Sequence, residues 1–271
     1  MRTETPKQAP DFAKLLQDAV NEPGTVSEAF RAFHRFSIGN QLLAREQCHA
    51  RGLQPGPIAT FPGWKDKGRH VKKGEKALAL CMPVTCKRTE TTDEGNEEQH
   101  VFTRFVFRNN WFVLSQTEGE AVEPEPLPKW DYSRALAALN LTEEPFTHTD
   151  GNCLGYAKRG GIIAVSPLAP SPYPVRFHEL GHQVLGHLTD AEKMQDDAAP
   201  SRNIRELEAE AVTLLVCAAL ELPGIEESRG YIQSWYGRQP IPEKNAQRIM
   251  KAADAILKAG QTEEAREERA A

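Results

Sequence analysis

His178-Glu179-Leu180-Gly181-His182 places two imidazoles and a carboxylate at the spacing that metal-dependent hydrolysis needs. Successive helical residues are about 100° apart, so side chains four apart lie within about 40° and can reach one ion. Glu179 sits one residue round. There it can take a proton from water and pass it to a leaving amine instead of binding the ion. The same spacing also occurs on solvated surface helices. Three features argue for a site: Gly181 removes bulk between the histidines, Gly161–Val165 can form a strand edge beside them, and an acidic helix follows.

A catalytic zinc takes three protein ligands and keeps one position open. His187 is excluded as the third on a continuous helix, because five residues beyond His182 is about 140° round. The following helix offers Glu206, Glu208 and Glu210. Its apolar stripe runs Ile204, Ala211, Leu215, Ala218, Leu222, and Glu208 falls inside it. A buried carboxylate is costly without a partner, and an ion would be that partner. Glu208 is therefore the expected third ligand with His178 and His182, and Glu179 the expected catalytic base. Glu210 is expected to hold a histidine in its ligating tautomer. Tyr156 and Tyr173 are candidate phenols for a developing oxyanion. Zn2+ is the default for a His2Glu set, and Mn2+ accepts the same oxygen-containing shell.

These residues need a scaffold. After a short helix near Asp11–Val20, Ser27 reads as the N-cap of one helix over Glu28–Ala50, stopped by Gly52. Lys76–Val84 and Val101–Phe107 read as strands joined by an acidic tip, Glu90–Glu98. Pro124, Pro126 and Pro128 among glutamates mark a linker. Beyond it lie a helix around Ser133–Leu139, the strand Gly161–Val165, the His178 helix, a long helix near Asn203–Leu222, and helices around Ser228–Tyr236 and Glu243–Leu257. The expected fold is α+β in two domains. Residues 1–120 form a small α+β domain, 121–130 the linker, and 131–271 a mainly helical domain.

The net charge of −5 conceals a basic segment. Glu28–Arg88 carries twelve Lys and Arg against four Asp and Glu, a local +8. Trp64, Lys65, Lys67, Arg69, His70, Lys72, Lys73 and Lys76 crowd thirteen residues broken by two glycines. Cations beside an aromatic suit single-stranded DNA, whose exposed bases stack on rings. A solvated turn is the competing reading of the same composition. If about five phosphates are neutralised, log K falls against log salt with a slope of about −3.5. No apolar run reaches the ~20 residues of a membrane span. A polar start and five cysteines without a CxxC pair lead us to expect a cytoplasmic protein with no membrane association.

The order of these features resembles the plasmid antirestriction ArdC family. The resemblance rests on Phe36-Ser37-Ile38-Gly39-Asn40-Gln41-Leu42-Leu43, on Trp64 with Gly68 and Val71-Lys72-Lys73-Gly74-Glu75-Lys76, and on Val113-Leu114-Ser115-Gln116-Thr117. In the second half it rests on the His178–His182 motif, Glu206-Leu207-Glu208-Ala209-Glu210-Ala211, Tyr231-Ile232-Gln233-Ser234-Trp235 and Ala252-Ala253-Asp254-Ala255-Ile256-Leu257. It implies an N-terminal domain that binds single-stranded DNA and a C-terminal zincin-like, gluzincin-like metallopeptidase domain. It further implies protection of incoming conjugative DNA, with host restriction components as further partners. Glu208-Ala209-Glu210 also resembles the third-ligand helix of regulatory metallopeptidases of the ImmA and IrrE kind, which implies Glu208 as ligand. Two other functions fit the same residues: a regulatory peptidase cleaving a DNA-bound repressor or restriction subunit, and a DNA shield whose metal is structural.

Overall fold

The computed structural model describes residues 10–91, 97–123, 125–148, 153–188, 202–236 and 240–262. Most of the expected acidic tip lies outside the described residues, as does the charged tail from 263. The chain divides into two units, one spanning Leu43–Pro124 and the other combining Asp11–Leu42 with Glu125–Ala271. Residues 11–42, expected in the N-terminal domain of 1–120, thus belong with the C-terminal unit. The family of contacts they make explains it. Helix α1 (Phe12–Asn21) buries Leu15, Leu16, Ala19 and Val20 and packs on the C-terminal helix α9 (Glu243–Ala259). Ala13 N donates to Glu243 at 2.8 Å, and the buried Arg229 guanidinium donates to the carbonyls of Ala19 and Val20.

The expected single helix over Glu28–Ala50 is two helices, α2 (Thr25–Phe33) and α3 (Ile38–Ala50). Gly24, in the left-handed region at φ 87°, is the N-cap in place of Ser27, whose hydroxyl instead bonds the Gly24 carbonyl. The break at 34–37 is held by partners that a helical pattern does not reveal. Ile38 N donates to Asp254 Oδ1 at 2.8 Å, and Gln41 Nε2 donates to the Phe36 carbonyl at 2.8 Å.

In the first unit, strands β1 (Ile58–Thr60), β4 (Glu97–Val113) and β3 (Leu78–Thr91) form an antiparallel sheet in that order. Strands β2 (Arg69–Val71) and β5 (Thr117–Gly119) make a second pair. The core gathers Leu43, Ala44, Cys48, Trp64, Leu78, Leu80 and Val113. Trp64 opens no surface; it lies in the short helix α4 (Phe61–Asp66) and is 1% exposed. Gln47 satisfies both backbone groups of Ala79, where the β3–β4 register shifts. Buried polar groups are costly unless paired, and Gln116 is paired likewise, with Val113 N, Glu75 and the Lys76 carbonyl.

In the second unit, α7 (Arg202–Ala219) is the central helix, buried almost all round from Leu207 to Cys217. It packs against α2, α6 (Pro172–Val184), α8 (Ile225–Tyr236) and α9. A three-stranded sheet has the order β6 (Thr142–Glu143), β8 (Ile162–Val165), β7 (Gly155–Lys158). The segment expected as an edge is therefore the middle strand, and β6 and β7 are the edges. The Gln183 amide of α6 donates at 2.8 Å to the carbonyls of both Lys158 and Ile162, locking the His178 helix to the β7–β8 turn. No helix among the described residues is long and apolar enough to cross a membrane.

Candidate functional site

Helices α6 and α7 meet where Gly181 faces Ala209. A Cβ on Gly181 would lie 3.3 Å from Ala209 Cα, so the missing side chain lets the two backbones approach. Close approach is thus the reason for Gly181, more than room between the histidines. It brings the Glu206 and Glu210 face of α7 onto the motif. His178 Nε2 lies 3.1 Å from His182 Nε2 and 3.3 Å from Glu206 Oε2, and the last two atoms are 3.7 Å apart. Tetrahedral ligands about 2.0–2.2 Å from an ion are separated by about 3.3–3.6 Å. Three donor atoms of suitable chemistry therefore converge at the separations a divalent ion imposes, among residues that offer one ligand atom each.

Glu208 does not join them. It points away from Glu206 and Glu210, is fully buried, and accepts from His187 Nε2 at 2.8 Å, Asn245 Nδ2 at 2.9 Å and Arg248 Nη1 at 3.2 Å. The carboxylate that stands beside the two histidines is Glu206 and not the expected Glu208. A buried carboxylate does need partners, but here they are side chains of this chain. His187 is also placed differently from a continuing helix. Gly186 takes φ 72° and α6 ends in a Schellman turn: Gly186 N bonds the Gln183 carbonyl at 3.1 Å and His187 N the His182 carbonyl at 3.0 Å. The turn folds His187 back until its Nδ1 is 2.9 Å from His182 Nδ1.

Glu210 Oε1 lies 3.2 Å from His178 Nδ1. Burial opposes charge on His178, yet its hydrogen bonds to the Glu206 and Glu210 carboxylates outweigh it and raise its pKa to about 10. Glu206 is held well below the carboxylate range by hydrogen bonds from His178 and then His182. Burial works to raise Glu210, but bonds from His178 and Ser228 bring it down. Glu179 moves the other way. Its burial raises the carboxyl pKa against the charges of His178 and His182, which makes the carboxylate a stronger proton acceptor. Burial lowers His187 despite Glu208.

Glu179 lies against the edge strand, where a Cβ on Gly155 would sit 3.1 Å from its Oε1 and 2.5 Å from Val175. The motif opens into a cleft of about 970 Å³ that Gly155, Tyr156, Glu206 and Tyr231 help to line. Tyr156 lines it with its hydroxyl donating to Glu144 at 2.8 Å. Tyr173 is 42% exposed and is not among the lining residues. Tyr231 and Ser228, both on α8, reach the site although sequence patterning assigns neither a role there; the i, i+3 spacing across the start of that helix was the available signal.

The basic lobe is only partly as expected. Trp64 cannot stack on a base, because its ring is in the core and its Nε1 donates to the Phe112 carbonyl at 2.8 Å. Arg69 bonds Thr117, Gly119 and Glu120 and so closes the β2–β5 pair. His70 pairs with Glu118 at 2.8 Å, and Lys72 Nζ donates to the Ser115 carbonyl at 2.9 Å. Lys65, Lys67, Lys73 and Lys76 are exposed. Phe61, 55% exposed on α4, is the exposed aromatic beside these lysines, and further ones lie on the β3–β4 ribbon. Phe105 is 67% and Phe102 47% exposed, on opposite faces of β4, with exposed Arg104, Arg108 and Lys87 on the same two strands.

The geometry so far defines a class: a two-unit α+β protein whose helical unit sets a His-Glu-x-x-His helix against an acid-bearing helix. Residues 17–111 match the family model described as the N-terminal domain of anti-restriction factor ArdC. Two crystal structures of an antirestriction ArdC protein from plasmid R388 share the fold. The metal-free structure has TM-score 0.53 at 20% identity, covering 92% of this chain and 94% of that one. The Mn(II)-bound structure has TM-score 0.53 at 18% identity, covering 93% and 98%. No curated protein sequence matches the chain. Residues 17–111 thus carry a domain of the ArdC N-terminal type, and the chain as a whole shares its fold with the R388 protein.

Proposed function

We propose that the protein is an antirestriction factor that binds single-stranded DNA through its first unit and carries a zincin-like, metal-dependent peptidase site in its second. The observation that carries the second part is the convergence of His178 Nε2, His182 Nε2 and Glu206 Oε2. These three residues would hold Zn2+ or Mn2+, and the Mn(II)-bound R388 relative supports a divalent ion. An ion held there supplies Lewis acidity toward a scissile carbonyl. Glu179 takes the proton of the attacking water and returns it to the leaving amine, and its raised pKa suits both steps. Glu210 fixes the His178 ring through Nδ1. Edge strand β7 offers backbone groups along which an extended peptide can lie.

Glu179→Ala separates catalysis from protection. Neither His178, His182 nor Glu206 depends on it for position, so metal content should be unchanged while any peptide hydrolysis falls by at least about 100-fold. We expect protection of transferred DNA to survive, as measured by conjugation into a restricting host. Loss of protection would favour the regulatory peptidase that cleaves a repressor or restriction subunit.

For DNA, the exposed Phe102 and Phe105 with neighbouring Arg104, Arg108 and Lys87 support the β3–β4 ribbon as the stacking surface, and the exposed lysines Lys65, Lys67, Lys73 and Lys76 as phosphate contacts. Phe105→Ala should weaken single-strand binding by about 1–3 kcal/mol in a fluorescence titration and change duplex binding little. Equal losses on both substrates would remove the stacking argument.

A further inference from the structure

Two imidazoles and a carboxylate lie in line behind the candidate metal ligand His182. Glu208 Oε2 is 2.8 Å from His187 Nε2, and His187 Nδ1 is 2.9 Å from His182 Nδ1. Proton positions follow from chemistry. Glu208 is fully buried and its other oxygen accepts from Asn245 and Arg248, so it is acceptor only and His187 Nε2 must carry a proton. A neutral His187 then presents a lone pair at Nδ1. Two ring nitrogens 2.9 Å apart need one proton between them, so His182 carries it on Nδ1. The lone pair of His182 is thereby left on Nε2, the atom that meets His178 and Glu206.

We propose that His187 and Glu208 are positioning residues for His182, a two-bond relay that fixes its tautomer and ring orientation toward a divalent ion. The inference rests on the metal reading given above. The two histidines of the motif are thus oriented differently: Glu210 acts on His178 directly, while Glu208 acts on His182 through a second imidazole. The relay is itself anchored. The Schellman turn at Gly186 aims His187 at His182, Arg205 donates to the His187 carbonyl at 3.2 Å, and Arg248 ties Glu208 to the Leu185 carbonyl. Outer partners of this kind typically change metal affinity 10–100-fold when removed.

The test uses full-length protein with Mn(II) chloride and Zn(II) chloride. His187→Phe, which fills the space without hydrogen bonding, should bind Mn(II) about 10–100-fold more weakly than wild type by calorimetry. His187→Gln offers an acceptor toward His182 and a donor toward Glu208, and should recover most of that loss. In Zn(II)-loaded, 15N-labelled wild type, imidazole correlation spectra should show His187 protonated at Nε2 and His182 at Nδ1. This readout needs no variant to fold and is not moved by a merely structural role. His187→Phe with wild-type affinity, no difference between Phe and Gln, or His187 protonated at Nδ1 would each overturn the relay. Wild type that binds neither ion would instead overturn the metal reading on which it rests.

Discussion

Glu206→Ala should leave the protein folded and unable to hold a divalent ion on the proposed site, whereas Glu208→Ala should damage the fold itself. The two residues are one helical position apart from adjacency and belong to the same acidic run, yet the structure gives them opposite work. Glu206 is half-exposed at the mouth of the cleft, with its oxygen facing both motif histidines. Truncating it removes a donor atom and leaves the His178 imidazolium with Glu210 as its partner, so metal affinity should fall by more than the roughly 100-fold ceiling of an outer partner. Stability of the metal-free protein should fall at neutral pH, because Glu206 is one of two carboxylates holding the His178 proton, but by less than the loss of Glu208 costs. Glu208 is fully buried among His187, Asn245 and Arg248. Its removal leaves those donors facing nothing, at a cost of about 3–5 kcal/mol. Metal content after dialysis and urea unfolding of the metal-free proteins separate the two. A Glu206→Ala protein that retains stoichiometric metal would return the third-ligand position to another acid.

That pair also shows where the sequence was legible. The His178–His182 motif is local, and four residues of helix are enough to align two rings whatever surrounds them. The third ligand is a question about which face of α7 meets α6. An apolar stripe answers it for a surface helix, but α7 is buried on nearly every side, so the stripe that contains Glu208 points to packing and not to the site. The decisive feature was the small pair Gly181 and Ala209, visible in the sequence but meaningful only once the helices are docked. His187 was hidden by one dihedral: a left-handed Gly186 turns the chain back where a continuing helix would carry the ring away. Trp64 was misleading for a related reason. Its cationic neighbours suggested a surface, while its indole partner is 48 residues along the chain. The pairing of two strands and the order of the C-terminal helices followed from periodicity, but β3 and β4 run on to Thr91 and from Glu97, into the acidic segment read as a loop. The break between α2 and α3 and the attachment of residues 11–42 depend on Asp254, Glu243 and Arg229, more than 180 positions away.

Metal affinity should rise steeply with pH, by about tenfold per unit between pH 6 and 8, because the ion competes with a proton on His178. In the metal-free protein, burial disfavours the imidazolium, but Glu206 and Glu210 hold its pKa at about 10. A histidine must be neutral to ligate, so at pH 7 nearly every binding event expels that proton. The sign for stability is the reverse. A raised folded-state pKa stabilises the metal-free protein fully below the unfolded value near 6.5, and that contribution is lost as pH rises through about 10. Raising pH therefore weakens the proton-bridged cluster and strengthens ion binding together, so the thermal shift on adding Mn(II) should widen toward alkaline pH. Calorimetry in buffers of different ionisation enthalpy should find about one proton released per ion at pH 7. Glu210→Gln removes one of the two carboxylates that hold the proton, and should flatten the pH dependence while lowering affinity at high pH, where the same carboxylate orients the ligating ring. Affinity independent of pH over this range would mean that His178 is already neutral in the metal-free protein, and that the carboxylates around it are poised for some other cation.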